Sequence, residues 1–209
     1  MISMFMFSCG GQDEEGTKSS DKKSSGIVDK SCVYSYDDSA SSLKWTAFKT
    51  TDRLAVNGSF DSIIVQLSDT AYSPKQALRN ASFDIFTGSV FTDNPARDLT
   101  IKTYFFATFL GDGNITGEVK IVEGNDEEGG GTVKIKMNDV TRDVGFTYTI
   151  FENKILMKTK INLNSFSGEA AITSLNTQCN EVHKGPDGIS KLWPDLEIEV
   201  KAVLIKTCK

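Results

Sequence analysis

Histidine occurs once in 209 residues, at His183, and the four cysteines, Cys9, Cys32, Cys179 and Cys208, form no CxxC pair. A zinc or iron–sulfur centre built on the usual soft ligands has nothing to assemble from, so no metal site is expected. A cationic excess is missing too: 23 Lys and Arg stand against 28 Asp and Glu, giving a net charge of −5 and a pI near 5.0. Nucleic-acid phosphates would be repelled, which removes nucleic acid from the expected partners. The chain has no GxSxG, no HExxH, no Gly-rich phosphate loop and no Cys/His arrangement of catalytic spacing. Asp187, Asp195 and Glu197 lie close in sequence but read as solvated charges on turns and on an outer strand face. No catalytic residue and no cofactor is therefore assigned, and the expectation is a protein that is not an enzyme. No apolar run approaches the length needed to span a bilayer.

What is present begins with Met-Ile-Ser-Met-Phe-Met-Phe-Ser-Cys, an apolar run ending in a small residue and Cys9, followed by Gly10 and Gly11. This is the pattern of the end of a lipoprotein signal, with Cys9 as the acylated residue. A complete signal carries a basic n-region, so the true start is expected upstream. Gly10 to Gly26 contains no apolar side chain and cannot offset its own ordering entropy. It reads as a flexible tether that stands a domain off a membrane. The expected division is thus 1–9 signal and lipidation site, 10–30 tether and 31–209 a single folded domain. The expected location is the periplasmic or cell-surface face of a bacterial membrane, reached through the lipid anchor.

From Cys32 onward the dominant apolar period is two. Leu43, Trp45 and Ala47 alternate with Lys44 and Thr46; Leu54, Val56, Gly58 and Phe60 with Ala55, Asn57 and Ser59; Val133, Ile135 and Met137 with Lys134 and Lys136. Val144, Phe146, Tyr148 and Ile150 follow the same rule, as do Leu196, Ile198, Val200, Ala202 and Leu204. Half-buried strands separated by polar turns are the antiparallel pattern, not the continuous apolar strand of a βαβ sheet. Turns are expected at 111–114, across the glycine-rich stretch 124–131 and at 152–154. Two stretches break the period and predict helices: Asn94 to Phe106, with Pro95 near its start, and Ser165 to His183, with Phe166, Ala170, Leu175 and Cys179. The fold class is all-β, an eight-stranded antiparallel up-and-down barrel with one or two short helical inserts, and a two-sheet sandwich is the alternative. Thirteen Phe against five Tyr and two Trp suit a thick core or a greasy cavity.

Several segments together resemble the YceI-like family of polyisoprenoid-binding proteins. Val33-Tyr34-Ser35-Tyr36 through Leu43-Lys44-Trp45-Thr46-Ala47-Phe48-Lys49, with Val56-Asn57-Gly58-Ser59-Phe60, is similar to that family's first hairpin. Asn94-Pro95-Ala96-Arg97-Asp98 followed by Tyr104-Phe105-Phe106 is similar to its Arg-Asp and phenylalanine element. Leu175-Asn176 and the segment from His183 to Asp195 resemble its lipoprotein members. The resemblance spans nearly everything from Cys32 to Cys208. It implies a lipocalin-like barrel whose interior holds an isoprenoid chain, polyprenyl lipid or quinone, and the ligand class rests on the resemblance alone. The region between Asp69 and Asn80 is polar, so a cavity lining cannot be read there.

Trp45, Phe60, Phe83, Phe105, Phe106, Phe109, Met137 and Phe146 are assigned to the ligand tail, because aromatics and Met give large, adaptable contact areas; packed core is the plainer alternative for each. Arg97 is assigned to a mouth receiving a polar head such as a pyrophosphate, the alternative being a loop contact with Asp98 capping the next turn. Lys191 and Trp193 read as a loop anchor and His183 as a solvated helix-end residue. Cys32 begins the first strand and Cys208 ends the last, and in a closed even-stranded barrel these strands pair antiparallel. A Cys32–Cys208 disulfide follows, leaving Cys179 as an odd thiol. The expected function is to sequester or carry a long apolar isoprenoid-type lipid. The alternative is a ligand-free structural or stress-related lipoprotein with a packed barrel. A homodimer is left open.

Overall fold

The structure, a computed structural model, describes residues 30–67 and 70–209. Cys9 and nearly all of the 10–30 segment lie outside the described residues. In chain order the elements are β1 (Cys32–Lys49), β2 (Leu54–Phe60), β3 (Ile63–Gln66), α1 (Pro74–Leu78), β4 (Ser82–Ile85), β5 (Val90–Phe91), α2 (Pro95–Tyr104), β6 (Ile115–Gly124), β7 (Glu128–Met137), β8 (Val140–Phe151), β9 (Lys154–Asn162), α3 (Glu169–Gln178) and β10 (Leu192–Cys208). Short 3-10 turns occupy Thr87–Ser89, Phe106–Thr108, Leu163–Phe166 and Glu181–His183.

The strands form one antiparallel sheet in the order β3-β4-β6-β7-β8-β9-β10-β1-β2-β5, which curls around the core. A single continuous sheet replaces the two-sheet sandwich. The expected count of eight is corrected to ten, and the reason is local. β2 runs into β3 across Asp61 and Ser62, and β4 runs into β5 across Phe86 and the Thr87–Ser89 turn. Each path therefore breaks where the sheet turns a corner. The two ends of the strand order meet at that corner, where Asp61 N–H donates to the Ser89 carbonyl at 2.9 Å and Phe86 N–H to the Ser62 carbonyl at 3.1 Å.

The seam between first and last strand is the longest pairing. β1 lies against β10 from Cys32↔Cys208 to Lys49↔Leu192, with a register shift between Asp37 and Ser42. Cys32 and Cys208 are disulfide-bonded, as the barrel argument requires, with their Cα atoms 4.0 Å apart. The β7–β8 turn is two residues, Asn138 and Asp139, both at positive φ (52° and 59°), the backbone that matches the twist of a tight hairpin.

Three helices, not one or two, fill the ends. Asn94 caps α2 by accepting from Arg97 N–H at 3.0 Å, with Pro95 in the first turn. The expected 165–183 helix is shortened to α3 by Ser167, whose φ of 53° breaks the chain from the preceding 3-10 turn. α1 falls in the stretch read only as polar; its start is written in Ser73-Pro74, Ser73 accepting from Gln76 N–H. α2 and α3 pack on each other near the β7–β8 turn, while α1 contacts β1 and β6 near the disulfide.

Candidate functional site

Inward residues of the curled sheet do not meet at the centre. They leave a cavity of about 890 Å³, near the upper end of the usual range of small-molecule sites. One wall is the inner row of β10, Leu196, Ile198, Val200, Ala202 and Leu204; facing it are Val133, Ile135 and Met137 of β7. Ala77 and Leu78 of α1, Phe105 at the end of α2 and Leu175 of α3 add to the lining. The region between Asp69 and Asn80, where no lining could be read from sequence, thus contributes Ala77 and Leu78, flanked by Leu67 and Ala81. Beside the start of α2, the lining residues Asn94, Ala96 and Arg97 are exposed, which marks an opening to solvent there.

The interior stays open because the largest rings lie against glycines on neighbouring strands. Trp45 pairs with Gly58, Phe83 with Gly117, Phe146 with Gly131 and Tyr148 with Gly129. A methyl group on Gly58, Gly117 or Gly131 would come 2.1, 2.3 and 2.6 Å, respectively, from an atom of the ring opposite. Residues 129–131, expected in a turn, accordingly lie within β7, and the turn shrinks to 125–127. Their glycine content serves close cross-strand packing rather than turning.

Of the nine residues assigned to ligand contact, Trp45, Phe60, Phe83, Arg97, Phe105, Phe106, Met137 and Phe146 line the cavity. Phe109 does not. The Phe106–Thr108 turn carries it behind the wall, where its ring stands 5.3 Å from both Phe105 and Phe106. Part of the Arg97 fork is already engaged: Nε donates to Thr92 Oγ1 at 3.0 Å and Nη2 to the Thr92 carbonyl at 3.4 Å. Thr92 in turn donates to buried Asp98 at 2.6 Å, so Arg97, Thr92 and Asp98 form one network at the opening. Trp193 anchors the β1–β2 turn, its Nε1 donating to the Thr50 carbonyl at 2.8 Å, with Arg53 stacked on its ring at 4.4 Å and on Phe48 at 4.5 Å.

His183 is not a solvated residue. It is 7% exposed and lines the cavity, with Nδ1 2.9 Å from Asn176 Oδ1. Burial, assisted by the nearby Lys49 ammonium, lowers its pKa to about 4. The sequence held a signal for this: Leu175, Cys179 and His183 are spaced by four, one face of a helical path, and all three line the cavity. Cys179, the free thiol among the described residues, is half-buried, and burial pushes its pKa up. Among the described residues no group of three or more His, Cys, Asp or Glu could hold a metal ion, and no helix is long and apolar enough to cross a membrane.

No protein-family model and no curated protein matches the chain. Solved structures do. A polyisoprenoid-binding domain from Saccharophagus degradans implicated in plant cell wall breakdown superposes with a TM-score of 0.59 at 18% identity, covering 82% of this chain and 97% of that one. Burkholderia cenocepacia BcnA gives 0.58 at 14% identity, covering 81% and 99%. A mutant Campylobacter jejuni YceI protein gives 0.51 at 16%, covering 73% and 84%. The chain has the fold of the YceI-like proteins.

Proposed function

We propose that this chain is a non-catalytic member of the YceI-like family that binds a long apolar isoprenoid-type lipid, a polyprenyl lipid or a quinone, and sequesters or carries it. One observation carries this reading: an 890 Å³ cavity walled by Leu, Ile, Val, Phe and Met where a packed barrel would have none. At roughly 30 Å³ per water-sized group, it has room for about thirty non-hydrogen atoms, on the order of six isoprene units. Burial of such a chain would supply roughly 25 cal/mol per Å² before association costs. The polyisoprenoid-binding description of a structural neighbour agrees with this ligand class. In this reading Cys9 is the lipidated residue and holds the barrel, through its tether, at the extracytoplasmic face of a bacterial membrane.

Native mass spectrometry of the protein purified from its own host, followed by organic extraction, tests the ligand. A stoichiometric isoprenoid adduct is expected. A clean apo mass with no uptake of added isoprenoids would overturn the reading. The same spectrum distinguishes monomer from homodimer, and the mass of the membrane-extracted form reports acylation at Cys9.

A further inference from the structure

His183 is the chain's single imidazole, and its position on the cavity wall is held from three sides. Its N–H donates to the Cys179 carbonyl at 3.0 Å, its carbonyl accepts from Lys191 N–H at 3.2 Å, and its Nδ1 meets Asn176 Oδ1 at 2.9 Å. Asn176 Oδ1 also accepts from Ser190 Oγ at 3.1 Å. An amide oxygen can only accept, so the ring proton sits on Nδ1. A neutral imidazole has one N–H, which leaves Nε2 as a bare acceptor.

Among the described residues Nε2 has no hydrogen-bond partner, yet none of their fully sealed side-chain nitrogens or oxygens lacks one. Nε2 therefore borders open space, and the space that His183 lines is the cavity. The polar neighbours do not serve it: Lys49 Nζ donates to the Val182 carbonyl at 2.8 Å and makes no hydrogen bond to the ring, and the Cys179 thiol is a weak donor. The cavity thus presents a hydrogen-bond acceptor to whatever enters it, in a wall that is otherwise mostly hydrocarbon.

Building on the ligand reading above, we propose that His183 Nε2 is the specificity-determining contact of the cavity and selects isoprenoid chains whose head donates a hydroxyl, a prenol or a hydroquinone, over chains whose head only accepts, a quinone or an ether. A quinone or ether oxygen would set lone pair against lone pair. An alcohol satisfies Nε2 and keeps its tail in the apolar channel. The low pKa of His183 keeps the ring in this acceptor form at neutral pH.

Geranylgeraniol and its methyl ether share one tail and differ only in the donor, so their affinities for the full chain isolate the contact. Quenching of tryptophan fluorescence, both Trp45 and Trp193 lying on the cavity wall, reports binding, and long-range proton–nitrogen correlation of the single histidine reports the ring. The alcohol is expected to bind roughly five- to tenfold more tightly than the ether, with a neutral Nδ1–H tautomer and an Nε2 resonance that moves with the alcohol only. H183F is expected to bind both probes equally. Equal binding by the unaltered protein with a still Nε2 resonance would overturn the role of His183 and leave the lipid-binding reading standing. Failure of both probes to bind would overturn that reading itself. The nitrogen spectrum is read on the unaltered protein and decides the matter even if H183F does not fold.

Discussion

Trp45 lies across Gly58, its partner on the neighbouring strand, so closely that a β-carbon on Gly58 would stand 2.1 Å from the indole Cζ2. The indole Nε1 donates to the Ser59 carbonyl at 3.2 Å, which fixes the ring in that pose. Trp45 therefore cannot yield to a larger residue without losing that bond or moving into the cavity.

Gly58→Ala is expected to cost about 1–3 kcal/mol, the usual penalty of overpacking, and Gly131→Ala at least as much, because the Ile121 carbonyl oxygen at 2.1 Å and the Phe146 ring at 2.6 Å both occupy the place of its methyl. Gly145→Ala is the control: the nearest atom to its added methyl is 4.0 Å away, so its stability should change by less than about 0.5 kcal/mol. Urea midpoints of the three variants check this. Equal midpoints for all three would mean that the rings do not rest on the glycines.

These glycines also show where sequence reading stops. Alternation identified the inward face of β7, β8 and β10 residue by residue, because a half-buried strand forces polarity to follow the pleat. The triplet 129–131 looks like a turn by composition, and only the register of β7 on β8 reveals that two of its members face Tyr148 and Phe146. The Cys32–Cys208 seam was legible because closing the barrel brings first and last strand together. The corner breaks at 61–62 and 86–89 were not legible, since a strand that bends keeps its alternation on both sides. Within the site, aromatic character pointed to six residues that line the cavity, Trp45, Phe60, Phe83, Phe105, Phe106 and Phe146, but also to Phe109, whose side is set by a single 3-10 turn. His183 escaped because its burial depends on Asn176, Ser190 and Lys191, which tertiary structure brings to it.

The disulfide joins residues 176 apart, so nearly the whole domain is one loop in the unfolded chain. In the chain-entropy model its removal costs about 5 kcal/mol. The paired substitution of Cys32 and Cys208 by Ser should lower the thermal midpoint by many degrees, and reduction of the unaltered protein should do the same. Because β1 and β10 stay paired on both sides of their register shifts, the folded state at low temperature is expected to retain its β-sheet circular dichroism. Collapse of that signal on reduction would show that the strands do not hold the seam without the bond.

Asn138 is buried in the β7–β8 turn and ties three segments together. Its Nδ2 donates to the carbonyls of Phe166 and Ser167 at 3.0 and 2.9 Å, and its Oδ1 accepts from Leu110 N–H at 2.6 Å. Asn138→Ala leaves these groups without that partner and puts at φ 52° a residue that tolerates the left-handed region less well than Asn, for a combined cost of about 3 kcal/mol. Asn138→Gly loses the same bonds but not the backbone freedom, so it should be about 1 kcal/mol less damaging. The order unaltered, Gly, Ala in denaturant midpoint is the expected result. A Gly variant no better than Ala would assign the whole effect to the hydrogen bonds.

The single histidine makes the acid response simple to read. His183 titrates near 6.5 when unfolded and near 4 when folded, so between those values the unfolded chain holds a proton that the native one refuses. Stability from this group is complete above pH 6.5, falls as pH drops toward 4, and changes no further below that. The loss is about 3 kcal/mol. The groups that face the ring are Lys49 from β1, whose charge works against protonation, and the neutral Asn176, Ser190 and Cys179. Asp187 is held below the ordinary carboxylate range by backbone and hydroxyl donors, and Glu197 by Lys160. As their pKa values are lowered on folding, their stabilisation is lost only at more acid pH, as each titrates in the native state. Stability measured by urea midpoint from pH 7 to pH 4 should therefore fall in the unaltered protein and stay markedly flatter in H183F. A parallel fall in both would place the proton uptake elsewhere and deprive His183 of its buried, neutral state.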